Sequence, residues 1–198
     1  MSAEQEPARA RRSERARSAI LAATAELVSE VPYPRLTIEA IAARAGVGKQ
    51  TIYRWWPSRG SVVFDAILEL SGGPEGSGLP DTGDIAADLR LFLRSTVAEM
   101  AEPRFDGFLR ALYVEIQQDP ALAEGYRTQL LEPQRRVVRD RLQRGVEAGQ
   151  LRDDVDLELA VDLLVGPVQM RWSLGLSGLT EDYADALLDL VLAALVTR

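Results

Sequence analysis

One glycine, Gly46, separates two short runs of apolar residues, and both runs keep helical spacing. Ile38, Ile41, Ala42 and Ala45 precede it; Val47, Ile52 and Trp55 follow. Thr37 is a good N-cap, because its hydroxyl can accept from a backbone N–H in the first helical turn. Glycine takes left-handed dihedrals without steric cost, so Gly46 marks a sharp turn. Ala42 stands four residues earlier, where two steeply crossing helices leave room for only a methyl. The pattern predicts two short helices sealed by Ile41, Ala45, Val47, Ile52 and Trp55, a helix-turn-helix. Lys49, Gln50, Thr51 and Tyr53 then lie on the other face of the second helix.

An ordinary helical hairpin packed in a core would share the central pattern. The residues after it favour the first reading. Tyr53, Arg54, Trp55 and Trp56 place aromatic and basic groups beyond the second helix, and Pro57-Ser58 starts another helix with Ser58 as its cap. Arg59 beside that helix start makes a good phosphate seat. From about Arg17 to Leu70 the chain resembles the DNA-binding domain of the tetracycline-repressor (TetR) family of bacterial transcription regulators. Thr37, Ile41, Ala42, Ala45, Gly46, Val47, Thr51, Tyr53 and Ser58 match that family's signature. Trp55-Trp56 replaces its usual His-Phe pair, and Arg59 its usual lysine. Trp56 can still plug the core, and arginine still neutralises a phosphate.

Charge distribution agrees. The net charge of −7 argues against nucleic acid, yet residues 1–60 hold ten Arg/Lys against six Asp/Glu, leaving −11 on residues 61–198. A basic head on an acidic body suits a modular DNA binder, since only the head must attract phosphates. The chain has no histidine and no cysteine. That removes the usual general base, the commonest metal ligand, nucleophile–histidine arrangements and disulfides. Asp153, Asp154, Asp156 and Glu158 read as a solvated loop and helix start rather than a metal site. The glycine-rich stretch Gly72 to Gly78 follows a helix and lacks a Lys-Ser/Thr sequel, so it is no phosphate loop. No cofactor, metal or enzymatic activity is expected. Without a membrane-length apolar run or a secretory signal, the chain is read as soluble and cytoplasmic.

The fold expected is all-α, with about nine helices and no strand. Residues 1–57 form an N-terminal arm and helix-turn-helix domain, 58–71 a connecting helix, and 72–198 a helical ligand-binding and dimerisation domain. Residues 1–10 are expected to be mobile, with the first helix running Arg11 to Glu30. Gly72 to Gly83 is read as a loop. Asp84, Asp119 and Thr180 are read as caps, as is Asp154 or Asp156. The helix after Asp119 should run to about Gly149, with a bend or break at Glu132-Pro133. The last two helices carry surplus apolar residues, which fit either a buried helix or one covered by a partner.

The recognition helix should span about Lys49 to Trp55. Lys49, Gln50 and Thr51 are best placed for base edges. Tyr53 and Arg59 are phosphate candidates by their place in the family motif, with Thr37 and Trp55 weaker ones. Arg44 could reach backbone or bases, and Arg9, Arg11, Arg12, Arg15 and Arg17 could follow phosphates or stay solvated. The resemblance further implies a homodimer tied by its last helices, with Leu164, Val168, Leu188 and Leu192 at the interface. It also implies a small-molecule effector among the helices of the second domain, near Phe92, Met100, Phe108, Tyr113, Met170 and Trp172, all of which could equally be core. Pro167, inside a helix, could open space beside Met170 and Trp172. The leading expectation is a repressor that binds a palindromic double-stranded DNA operator as a homodimer and is released by a small molecule. An all-helical enzyme and a helical protein-interaction module are the alternatives.

Overall fold

The computed structural model describes residues 5–70 and 79–196. Residues 1–4 of the expected mobile arm, residue 71 at the end of the expected connecting helix and residues 72–78 of the expected Gly72–Gly83 loop lie outside them. The fold is all-α, as expected, with no strand among the described residues. Its helices are α1 (Gln5–Glu30), α2 (Ile38–Ala45), α3 (Lys49–Tyr53), α4 (Arg59–Leu70), α5 (Ile85–Ala101), α6 (Pro103–Ile116), α7 (Pro120–Tyr126), α8 (Glu132–Glu147), α9 (Leu157–Ser173) and α10 (Glu181–Leu195). A short 3-10 turn, Tyr33–Arg35, precedes α2.

Two boundaries differ from the expected ones. Helix α1 is already helical at Gln5, the first described residue and six residues before the expected start, because Gln, Glu, Ala and Arg are all good helix formers. The helix after Asp119 does continue to Glu147, but through a π-helical turn at Arg127–Leu131. That turn ends two residues before Pro133, whose missing N–H and bulky ring disfavour regular α backbone there. Counting α7 and α8 as one continuous helix gives nine among the described residues.

Local chemistry explains the starts. Thr37, Asp84, Asp119, Asp156 and Thr180 each accept a backbone N–H of the turn they open. Ser58 accepts from the Ser61 amide at 3.2 Å while Ser61 accepts from the Ser58 amide at 3.1 Å, a reciprocal cap on α4.

The contacts divide the chain into two compact units, and the second does not coincide with residues 72–198. Unit 1 comprises Met1–Gly73 with Gly107–Arg127, and unit 2 comprises Pro74–Asp106 with Thr128–Arg198. In unit 1, α1 packs on α2, α3 and α4, and α7 packs on α4. Its buried residues include Ile20, Leu27, Ile41, Ile52, Val63 and Ile67. In unit 2, α5 packs against α8, α9 and α10, around Leu89, Leu93, Leu142, Leu164 and Leu188. One ion pair is sealed in this second core. Arg141 donates to the Asp88 carboxylate at 2.9 and 2.7 Å, and both are essentially inaccessible to solvent.

Candidate nucleic-acid interface

The turn at Gly46 has the geometry its sequence required. Gly46 sits at φ 66°, and its amide caps α2 by donating to Ala42 and Ala43. Val47 then donates to the Ala42 carbonyl at 3.0 Å, so α3 starts across the end of α2. Thr37 accepts from the Ala40 amide at 3.1 Å, which fixes the other end of α2.

Helix α3 is short, and its orientation comes from the two apolar residues it buries. Ile52 is fully enclosed, and Trp56 plugs the core just beyond the helix. The Trp56 indole N–H donates to Asp65 on α4 at 2.9 Å. Arg17 of α1 donates to the same carboxylate at 3.3 Å and lies over the Trp56 ring, 5.8 Å from its centroid. Arg17, partly exposed, thus ties α1 to α4 and to the Trp56 ring.

With Ile52 and Trp56 inward, the outward face presents Lys49, Gln50 and Tyr53, with Thr51 partly covered. Tyr53 is 50 % exposed and Trp55 38 %, so both can reach a macromolecular partner. Trp55, expected in the seam, lies at the surface in a tilted contact with Trp56, ring centroids 6.3 Å apart. Helix α3 ends at Tyr53, short of Trp55, and a turn through Arg54 and Trp55 swings the latter outward. That turn also exposes Arg54, a basic group that the sequence reading did not count among the DNA contacts.

The remaining cations are engaged to different degrees. Lys49 donates to Glu39 at 2.9 Å on an open surface. That hydrogen bond holds the Glu39 carboxyl below its ordinary range. Arg44 bridges Glu26 at 3.1 Å and Glu30 at 2.6 Å, tying α2 to α1. Its bond to Glu30 likewise lowers that carboxyl's pKa. Both are surface pairs, which a phosphate can displace.

Arg59 is placed differently from the phosphate seat expected of it. Its guanidinium donates twice to Glu115 of α6, at 3.2 and 2.8 Å, and once to the Leu36 carbonyl at 3.0 Å. It also lies over the Tyr33 ring, 4.1 Å from the centroid. Burial and the adjacent Glu115 carboxylate together push the Tyr33 phenol's pKa up. Glu115 stands 56 residues from Arg59, and no local pattern marks it.

The effector candidates do not fall in one unit. Phe108 and Tyr113 belong to unit 1, and Phe92, Met100, Met170 and Trp172 to unit 2. Phe108 is buried, and Tyr113 is half-buried, its hydroxyl 3.1 Å from that of Tyr126. Phe92 and Met100 pack at the edge of the second core. Trp172 is buried with its indole N–H on Asp106 at 2.7 Å, whereas Met170 is 54 % exposed. Two residues of helix turn them to opposite sides, so Pro167 does not bring them to a common space.

The dimer candidates are buried. Leu164, Val168, Leu188 and Leu192 all lie in the core of their own unit. The apolar residues that α9 and α10 leave outside are Leu159 (56 % exposed), Leu163 (44 %), Met170 and Leu190 (74 %).

Similarity to known proteins follows the same architecture. Residues 20–66 match the family model described as bacterial regulatory proteins of the tetR family. Residues 79–191 match the tetracyclin repressor-like C-terminal domain. An uncharacterised HTH-type transcriptional regulator of Bacillus subtilis, YdeS, is 34% identical over 160 residues, covering 81% of this chain and 79% of that one. A DNA-binding transcriptional repressor TetR of Mycobacteroides abscessus is 27% identical, covering 93% and 96% respectively. The crystal structure of the TetR family transcription regulator SCO0332 superposes with a TM-score of 0.77 at 32% identity, covering 92% of this chain and 99% of that one. An exposed helix-turn-helix face on an anchored head, joined to a helical second domain, is thus matched along nearly the whole chain, which belongs to the TetR family of ligand-responsive, DNA-binding transcriptional repressors.

Proposed function

We propose that this regulator binds its operator through the outward face of α3, with Lys49, Gln50 and Thr51 at base edges in the major groove. The observation that carries this reading is the burial of Ile52 and Trp56, which forces Lys49, Gln50 and Tyr53 outward. Lysine suits guanine acceptors, glutamine pairs with adenine, and the threonine methyl fits thymine. Tyr53, Trp55 and Arg54 act on phosphates flanking the groove, with Thr37 as a further contact at the start of α2. Lys49 and Arg44 exchange their surface carboxylates for DNA on binding, since such pairs are weak in water.

The repressor acts in the cytoplasm as a homodimer, and the surface that joins the copies is the outer face of α9 and α10. Leu159, Leu163 and Met170 recur along one side of α9, and Leu190 lies on the outside of α10. Apolar stripes of this kind are costly to leave in water. Two heads reading successive major-groove faces need a spacing of about 34–36 Å. A small molecule held among the helices changes that spacing and releases the DNA, and Phe92 and Met100 at the edge of the second core are its best-placed contacts in unit 2. Whatever weakens operator binding must itself bind less tightly to the DNA-bound protein. The experiment is selection of operator DNA from a random pool by the intact protein, followed by footprinting. A palindromic protected site supports the reading, and unselective protection refutes it.

A further inference from the structure

We propose that Glu115 holds Arg59 off the DNA, so that an internal carboxylate and an operator phosphate compete for one guanidinium. The proposal rests on the DNA-binding reading above and concerns how that binding is limited. Arg59 opens α4, six residues after Tyr53, and is the last cation of the helix-turn-helix segment. Arg54, at the end of α3, stands exposed with no ion pair among the described residues, whereas Arg59 has its Nε and both terminal nitrogens hydrogen-bonded.

Three features show that this engagement is built in. First, the grip is directional, since the Nε and one terminal nitrogen both meet the same Glu115 oxygen while the other terminal nitrogen meets Leu36. Second, Tyr33 closes the face of the guanidinium, an arrangement that favours a flat cation over lysine. Third, Gly60 leaves the space in which the carboxylate sits. A Cβ there would collide with the Glu115 carboxylate and come within 2.9 Å of Leu122. The pair remains partly open to water, at 32% and 21% side-chain exposure, so it can be exchanged, unlike a sealed pair. A strong competing anion at the head can therefore draw Arg59 away, and Glu115 sets how readily it leaves.

The test is operator affinity of the intact protein across a salt series, because the log–log slope counts phosphate contacts. Glu115→Gln keeps the shape of the latch and removes its charge. It should bind the operator severalfold more tightly at low salt, and its slope should steepen by about 0.9 for each DNA head that gains a contact. Gly60→Ala adds no charge but crowds Glu115 from its seat, and should act in the same direction. Arg59→Met alone should leave the slope unchanged. Combined with Glu115→Gln it should abolish the gain. Far-ultraviolet dichroism and thermal midpoints of each variant establish that the fold is kept, and Glu115→Gln carries the test if Gly60→Ala does not fold. An unchanged slope in Glu115→Gln overturns the proposal. So does a flatter slope in Arg59→Met alone, or a gain that persists without Arg59, which would mean simple long-range repulsion. A parent protein that selects no DNA refutes the underlying reading instead, and is told apart because every variant then fails alike.

Discussion

Arg44 and Arg141 make the same kind of bond in opposite settings. Arg44 meets Glu26 and Glu30 on the surface of the DNA-binding head. Arg141 meets Asp88 inside the second core, and Thr82 adds its amide and hydroxyl to the same carboxylate. Water competes for the first pair at every moment and never reaches the second. The surface pair is therefore exchangeable, and suits a head that must trade carboxylates for phosphates. The buried pair is locked, because separating it strands a charge in an apolar interior. Between these extremes sits Arg59 with Glu115, partly covered and partly open.

The largest effect should come from breaking the sealed pair. Asp88→Ala leaves Arg141 only the longer contact to Asp81, at 3.6 Å, and should cost about 3–5 kcal/mol in denaturant unfolding. The pair also predicts an acid response. Burial alone would raise the Asp88 carboxyl, but Thr82 and Arg141 outweigh it and hold the pKa below the ordinary carboxylate range. A lowered folded-state pKa gives stability that is present above the unfolded value and lost as pH falls through the folded one. Asp88 should therefore stabilise the parent down to below about pH 4, and an Asp88→Asn variant should lose that portion of the acid dependence. Unchanged acid titration of stability would contradict the assignment.

In the head, Trp56→Ala removes the plug beneath α3 and the donor to Asp65, for about 3–5 kcal/mol. The account expects operator binding to fall with it, since Ile52 alone then orients the reading face. A variant that lost stability but kept full affinity would show that α3 is held by something else. A smaller effect separates the two faces of α10. Leu190→Lys, on the open side, should weaken dimerisation in sedimentation experiments while helical content and thermal midpoint stay near the parent's. Dimerisation unaffected by that charge would remove the outer face as the interface. Smallest of all is Glu39→Gln at the surface pair with Lys49. Its thermal midpoint should match the parent's, and its DNA affinity should rise slightly as Lys49 is released.

The same contrast explains what could be read before the fold was known. Caps and turns depend on a few neighbouring residues, so Thr37, Gly46, Ser58, Asp84, Asp119 and Thr180 were legible. The anchoring role of Trp56 was legible from its place beyond the recognition helix, but its partner Asp65 was not singled out among the apolar residues of α4. Pairings across long separations left no local mark. Asp88 and Arg141 are 53 residues apart, and each reads alone as a solvated charge on a helix. Helices α9 and α10 posed another difficulty. With apolar residues on several sides, periodicity identified Leu164 and Leu188 as buried but could not say whether their own unit or a second copy covers them. The end of α1 at Glu30 was legible from the prolines that follow, while the helical character of residues 5–10 carried no apolar periodicity to read.

The central claim is that α3 reads sequence with side chains forced outward by Ile52 and Trp56. It is tested most directly by comparing parent and Gln50→Ala on the selected operator and on a panel of single-base variants, at one fixed salt concentration. The account predicts a loss of about 1–3 kcal/mol on the best site, with discrimination relaxed at one base position in each half-site and preserved elsewhere. Equal weakening on every sequence, with all base preferences intact, would contradict it, since Gln50 would then touch only the backbone.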